Sequence, residues 1–220
     1  SLIPLAGLES LTSVGEDVRI NDNSAMTSLD GLNNLVSIGG QLQIDENAVL
    51  TSVAGLANLT TIGDYFRFYG NDSIAELTGL EALTTTGSFD INRNSALLSL
   101  EGLSGLTHVD GSFEITNNDL LPTLSGLHNL TVVTDHITVQ HNDILLSLEG
   151  LSGLTSTTGL AVQINDNLTS MDGLDSLETF TGSLTIFANG SLCRSTALSF
   201  RDWALTLGLE GWNINSNKPC

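Results

Sequence analysis

The sequence is poor in aromatic and basic residues. Phe, Trp and Tyr make up 5% of 220 residues, and six Lys and Arg stand against 25 Asp and Glu, for a net charge of -19. With so few aromatic rings, the core has to be filled by Leu, Ile and Val, which is typical of repeats in which one small apolar set recurs. A surface of this sign repels phosphate, so we expect no nucleic acid and no anionic membrane as a partner.

Long apolar runs and catalytic motifs are lacking as well. No run approaches the ~20 residues that cross a bilayer, so we expect no direct membrane insertion. No phosphate-binding loop, dinucleotide fingerprint or nucleophile elbow occurs, and we predict neither an enzyme nor a cofactor. The two cysteines, Cys193 and Cys220, lie in the one region without the repeat described below. They predict a disulfide bond and a secreted or cell-surface location.

Two markers recur every 23 or 24 residues through most of the chain. The dipeptide Gly-Leu begins at Gly7, Gly31, Gly55, Gly79, Gly102, Gly126, Gly150 and Gly173. An Asn recurs in the same phase, at Asn23, Asn47, Asn71, Asn94, Asn118, Asn142, Asn167 and Asn189. Two markers in one phase predict stacked structural repeats, in which the Asn side chains bond turn backbone groups coil after coil.

Each repeat also carries two apolar residues two positions apart, the spacing of one short β-strand. The predicted pairs are Val18 and Ile20, Leu42 and Ile44, Phe66 and Phe68, Phe89 and Ile91, Phe113 and Ile115, Ile137 and Val139, Val162 and Ile164, and Leu184 and Ile186. Because one repeat cannot bury its own apolar set, equivalent strands must pair in parallel, ~4.8 Å apart.

The fold prediction is therefore a mainly β repeat solenoid, a right-handed parallel β-solenoid of about eight coils over residues 1–192. Residues 193–220 form a disulfide-closed C-terminal cap. In the cap we expect a short helix over 195–207 with Ser195 as N-cap, and a last strand at Trp212 to Ile214. Such a cap would cover the open end of the stack.

The repeat SLEGLSGLTHVDGSFEITNNDLL resembles the leucine-rich-repeat variant of bacterial surface proteins and the receptor L-domain of growth-factor receptors. The resemblance runs from about Leu5 to Asn189 and consists of scaffold positions. It implies a leucine-rich-repeat or L-domain-like scaffold with a binding or adhesive role, and it transfers no catalytic or ligand-binding residue. The chain departs from the receptor L-domain in lacking its many cysteines.

Positions that vary between coils are free of the stacking requirement, and the variable ones lie on the outward side of the strands. Tyr65, Arg67 and Tyr69 should project there together, and Tyr and Arg are enriched at binding hot spots. Asp90 and Glu114 follow in the column of Arg67. These five residues are the predicted binding site for a protein or glycan ligand. The alternative is that Arg67 pairs with Asp90 and the tyrosines shield the sheet.

Other functions remain open alternatives. The chain could be a structural spacer or adhesin stalk without a specific ligand. A regular threonine column could order water as an ice-binding surface does; it comprises Thr12, Thr60, Thr84, Thr107, Thr131 and Thr155. Asp90 and Glu114 could approach to the ~5 Å of a retaining glycosidase pair, but no pocket is predicted around them. His136 and His141 should diverge around a strand, so we predict no metal site.

Overall fold

The computed structural model describes residues 5–220; residues 1–4 of the predicted repeat region lie outside the described part. The described residues form 13 strands and one α-helix. In chain order these are β1 (Ser13–Val14), β2 (Val18–Asn21), β3 (Ser37–Ile38), β4 (Leu42–Asp45), β5 (Thr61–Tyr69), β6 (Thr85–Asn92), β7 (His108–Val109), β8 (Phe113–Thr116), β9 (Val132–Val133), β10 (His136–Gln140), β11 (Ser156–Gln163), β12 (Thr179–Phe187), α1 (Arg194–Ala204) and β13 (Gly211–Asn215).

Equivalent strands of successive repeats pair in parallel and form two rows. The front row consists of β2, β4, β5, β6, β8, β10, β11, β12 and β13, paired in that order. Within it Phe66 pairs with Phe89 and Phe89 with Phe113. Adjacent parallel neighbours of this kind confirm a mainly β, solenoid-like fold; its handedness and number of coils stay predictions.

A second row of strands was not predicted. This side row consists of β1, β3, the start of β5 and of β6, then β7, β9, and the start of β11 and of β12. The prediction of one short strand per repeat is therefore wrong, because the segment after each Leu-Thr step is also extended and hydrogen-bonded to its neighbours. Strand β5 passes from one row to the other, with a register shift between Ile62 and Tyr65.

The corner between the rows requires glycine where coils touch. A side chain on Gly87 would overlap the backbone carbonyl of Asp64 in the preceding coil, and one on Gly63 would overlap that of Gly39. The backbones of successive coils can therefore approach closely only where no Cβ is present.

The core lies between the rows and the turns and is almost entirely aliphatic. Buried Leu, Ile and Val residues form continuous columns through the coils. The rings of Phe66, Phe89 and Phe113 stack beneath the front row, with centroids 4.7 and 5.3 Å apart. Each coil buries its apolar set against the coils above and below, as the repeat required.

Asparagines, all buried except the part-exposed Asn23, form a second, polar column that we call the asparagine ladder. Asn94 donates to Oδ1 of Asn118 from its backbone nitrogen (3.1 Å) and from its side-chain Nδ2 (3.2 Å). Asn118 in turn donates from Nδ2 to the carbonyl of Ile91 (3.0 Å). The ladder comprises Asn23, Asn47, Asn71, Asn94, Asn118, Asn142, Asn165, Asn189 and Asn217. It satisfies turn backbone groups that would otherwise be buried without a partner.

The prediction for the seventh repeat is wrong by two residues. Leu160 and Val162, and not Val162 and Ile164, pair with Ile137 and Val139 of the preceding coil. Asn165 occupies the ladder, whereas Asn167 is exposed. Two causes combine: Leu160-Ala161-Val162 lacks the polar middle residue that marks other strands, and the sequence Asn165-Asp166-Asn167 offers two candidate asparagines.

The C-terminal segment closes the stack. Helix α1 and a 3₁₀ turn at Leu205–Leu207 cover the predicted helical segment, but the N-cap is Cys193 and Ser195 lies inside the helix. The disulfide between Cys193 and Cys220 is confirmed. β13 extends the front row. In the described part of the chain, no helix is both long and apolar enough to span a bilayer.

Asn165 and Asn167 provide a direct test of the ladder. Asn165→Ala orphans a backbone amide of Asn142 and the carbonyl of Val139, so we expect a loss of ~3 kcal/mol in the free energy of unfolding. Asn167→Ala, two residues away, should change it by less than ~0.5 kcal/mol. Urea unfolding of both variants measures the difference, and equal losses would contradict the assignment.

Candidate ligand-binding face

The outward side chains of the front row form what we call the front face. Along β5, Tyr65, Arg67 and Tyr69 are part-exposed and alternate with the fully buried Phe66 and Phe68. Arg67 is in register with Asp90 of β6, and Asp90 with Glu114 of β8. The structure thus brings the five predicted residues together on three neighbouring strands, and we call this group the tyrosine-arginine patch.

Arg67 lies between two carboxylates. Its Nη1 is 3.3 Å from Oδ2 of Asp45, and its Nε is 3.9 Å from Oδ2 of Asp90. The shorter ion pair is therefore with a residue that the sequence did not single out. Asp45 of β4 is paired with Tyr69 of β5, so its contact with Arg67 runs diagonally across the two strands.

Both tyrosines are fixed by charged neighbours. The guanidinium carbon of Arg67 lies 4.6 Å from the centroid of the Tyr69 ring, and that of Arg93 lies 5.7 Å from it. Arg93 Nη1 also donates a hydrogen bond of 2.7 Å to the Tyr69 hydroxyl. Tyr65 donates from its hydroxyl to Asp90 Oδ2 at 3.1 Å. Cation-π contacts and hydrogen bonds thus hold the two rings in place.

Arg93 was also missed in the sequence. It follows β6 in a turn position with φ of 56°, a conformation that recurs at the same place in other coils, for example at Asp22 and Glu46. The common factor of this column is its backbone conformation rather than a residue type. Sequence periodicity therefore gave no signal that Arg93 would reach back to Tyr69.

The two aspartates are unusually buried for charged groups. Asp45 and Asp90 are 7% and 8% exposed, and Oδ1 of each has no hydrogen-bond partner among residues 5–220. Burial raises the pKa of Asp90 to about 6; Glu114 adds to the rise, while the Tyr65 hydrogen bond and Arg67 oppose it. Burial likewise raises the pKa of Asp45, against the opposing charge of Arg67. The patch therefore carries a carboxylate that is costly to ionise.

Glu114 connects the patch to the next strands. Its Oε1 lies 3.8 Å from Nε2 of His136, and Nδ1 of the same ring lies 3.3 Å from Oδ2 of Asp135. The imidazole stands between two carboxylates on the rim of the front face. Within the described chain, no group of three or more His, Cys, Asp and Glu has a metal-binding arrangement.

The threonine column has a structural role. The hydroxyls of Thr60, Thr84, Thr107, Thr131 and Thr155 each donate to a backbone carbonyl of the preceding coil, at 2.9 to 3.1 Å. These protons are used within the solenoid. The stacking of coils thus accounts for the regularity on which the ice-binding alternative rested.

Comparison with known proteins finds a family match for part of the chain. Residues 105–203, a little under half of the chain, match the family described as Receptor L domain. No curated protein and no solved structure matches the chain. The match supports the L-domain part of the resemblance and favours a ligand-binding module over an enzyme. Of the patch residues, only Glu114 lies in the matched segment.

The buried carboxylate of Asp90 makes stability depend on pH. Its native pKa, about 6, lies above the ordinary aspartate value of 3.8, so the native state binds the proton more tightly and stability falls as pH rises from about 4 to 6. Asp90→Asn removes this titration and keeps an oxygen acceptor for Tyr65. Between pH 4 and pH 7, we expect the free energy of unfolding of the variant to rise by ~1–3 kcal/mol relative to that of the native sequence.

Urea unfolding at pH 4, 5.5 and 7 measures this gain. Asp175→Asn, at an exposed position, is the matched control and should follow the native sequence at every pH. A pH profile of Asp90→Asn parallel to that of the native sequence would argue that Asp90 is solvated.

Proposed function

We propose that this chain is an extracellular or cell-surface recognition module that binds a protein ligand through its front face. The disulfide and the Receptor L domain match support the location and the module class. The tyrosine-arginine patch is the observation that carries the proposal. It gathers the residue types most enriched at binding hot spots in a protein that has only two Tyr and five Arg.

The patch is organised before any ligand arrives. Tyr69 is held by two guanidinium groups, and Arg67 is held by Asp45 while its side chain stays 34% exposed. Side chains that are already fixed lose little rotamer entropy on binding, so more of the contact energy appears as affinity. The surface exposed by Tyr65, Arg67 and Tyr69 is thus suited to an interface core.

A protein ligand is favoured over a glycan for two reasons. Receptor L domains bind protein ligands in general, and the matched segment includes the strands next to the patch.

The ion pairs of Arg67 position its side chain, because a guanidinium shared between two carboxylates holds a fixed orientation.

The proposal predicts that two single substitutions in the patch weaken ligand binding. Tyr69→Ser removes the ring, and Arg67→Lys keeps the positive charge beside Asp45 and Asp90 but loses the planar contact. We expect each to weaken binding by ~30-fold or more, as for a hot-spot residue. Arg194→Ala, on an exposed residue of α1, removes a cation away from the front face and should leave affinity unchanged.

The experiment uses fluorescent tetramers of the chain on arrays of secreted and cell-surface ectodomains, with a glycan array in parallel. Affinities of the variants for each captured protein follow, with thermal melts to verify folding. Unchanged affinity of both patch variants would refute the patch. Binding to glycans alone would replace the protein ligand, and silence on both arrays would favour the spacer or adhesin stalk.

A further inference from the structure

An aliphatic patch lies on a third side of the solenoid, outside the two rows of strands. This side is formed by the segment between each ladder asparagine and the following Gly-Leu dipeptide. Residues two and four positions after the asparagine are exposed or part-exposed, and the residue between them is buried. In three successive coils these outward positions hold apolar side chains. The aliphatic patch comprises Ala96 and Leu98, Leu120 and Pro122, and Ile144 and Leu146.

Four side chains of the patch are exposed although they are large and apolar. Leu98, Leu120, Ile144 and Leu146 are between 37% and 54% exposed, and they are four of the nine large hydrophobic residues exposed in the described chain. Because equivalent residues of successive coils lie ~4.8 Å apart, the four form one continuous surface. Contiguous apolar surface marks an interaction site, whereas scattered exposed residues do not.

Stacking of the coils does not require these apolar residues. The position of Leu98 and Leu146 is occupied by Thr27 and Thr51 in earlier coils. Leu98 donates from its backbone nitrogen to the carbonyl of Ala75 at 2.8 Å. Thr51 donates in the same way to the carbonyl of Thr27 at 3.0 Å. The bond between coils thus forms with either residue type, and leucine is not needed for the fold.

One edge of the patch is a row of carboxylates. The residue directly after the ladder asparagine is an exposed aspartate in three successive coils, at Asp119, Asp143 and Asp166. Partial desolvation and the charges of Asp119 and Asp166 raise the pKa of Asp143, while His141 opposes the rise. The three carboxylates therefore repel one another, and a cationic surface placed over them would relieve that repulsion.

The opposite edge of the patch is acidic as well. Glu101 lies three residues beyond Leu98, and Glu149 lies three residues beyond Leu146; both glutamates are exposed. Within residues 5–220, neither of the two edge positions holds Lys or Arg in any coil. The patch thus presents aliphatic side chains between two negative edges. A complementary surface carries apolar residues between positive ones.

We infer that the aliphatic patch is a second interface, which docks a basic partner protein through aliphatic side chains flanked by Lys or Arg. A second copy of this chain is disfavoured, because its edges and its net charge of -19 have the same sign. Burial of the leucines stabilises the complex, and the acidic edges set its orientation. The inference does not depend on the front-face ligand, since no residue of the aliphatic patch belongs to the front row.

Residues that other coils already use supply the test variants. Leu98→Thr and Leu146→Thr each copy the coils that carry Thr at this position, so the melting temperature of each variant should change by less than ~2 °C. Val36→Thr is the matched control. Val36 is also exposed, it precedes β3, and the equivalent residues Thr12 and Thr60 are threonines.

The probe is an acetylated, amidated amphipathic helix in which leucines form one stripe and lysines flank it. The same peptide with glutamate in place of lysine tests the charge, and a scrambled peptide of equal composition tests the stripe. We expect Leu98→Thr and Leu146→Thr each to bind the probe ~5-fold more weakly, with Val36→Thr unchanged. Asp143→Asn should weaken binding by ~3-fold, whereas Glu178→Gln, which removes an exposed charge before β12, should not.

Amide NMR locates the probe, because Leu98, Leu120 and Leu146 should shift with it and the front row should not. Unchanged affinity of both leucine variants would overturn the inference. Equal binding of the scrambled peptide would also overturn it, since the acidic surface would then attract lysines without a site. Binding of phosphatidylcholine vesicles in place of the probe would replace the partner protein by a membrane. A dimer in sedimentation velocity that Leu98→Thr dissociates would replace it by a second copy.

Discussion

The structure depends on the need of each buried turn for hydrogen-bond partners. Every coil turns sharply after its front-row strand, and the turn directs backbone amides and carbonyls toward the interior. Asparagine is short and carries both a donor and an acceptor, so one buried Asn per coil can serve its own turn, the strand of the preceding coil and the Asn of the next. This chain of bonds fixes the phase of every coil, and the columns of the front face are aligned only because the phase is fixed.

The parts of the fold that follow from periodicity could be predicted, and those that depend on single substitutions could not. Gly-Leu and Asn markers with paired apolar residues predicted the front row and its parallel order. The prediction for the seventh coil was wrong because Ala161 replaces the usual polar residue between the buried pair and because two candidate asparagines, Asn165 and Asn167, lie two residues apart. The side row was missed because its strands β1, β3, β7 and β9 are two residues long, too short for an alternation to be recognised.

The candidate site shows the same division. Alternation on β5 placed Tyr65, Arg67 and Tyr69 on one side, and stacking placed Asp90 beside Arg67. Asp45 contacts Arg67 diagonally, and Arg93 contacts Tyr69 from a turn. The sequence did not identify these two partners, because alignment of equivalent positions relates only residues that lie side by side on neighbouring strands. The front face is thus asymmetric: Arg19 and Arg67 lie on its first strands, and strands β6 to β13 carry neither Lys nor Arg.

The fixed height of a coil has an evolutionary consequence. A duplication or deletion of one whole repeat preserves every asparagine contact and every strand pair on both sides of the event, so the fold tolerates changes of length in units of one coil. Insertion of one whole repeat between β8 and β10 would move strands β10 to β13 away from the patch by ~4.8 Å. Homologues could therefore adapt their reach to partners of different size by gaining or losing entire repeats, while insertions of a few residues would be confined to the turns.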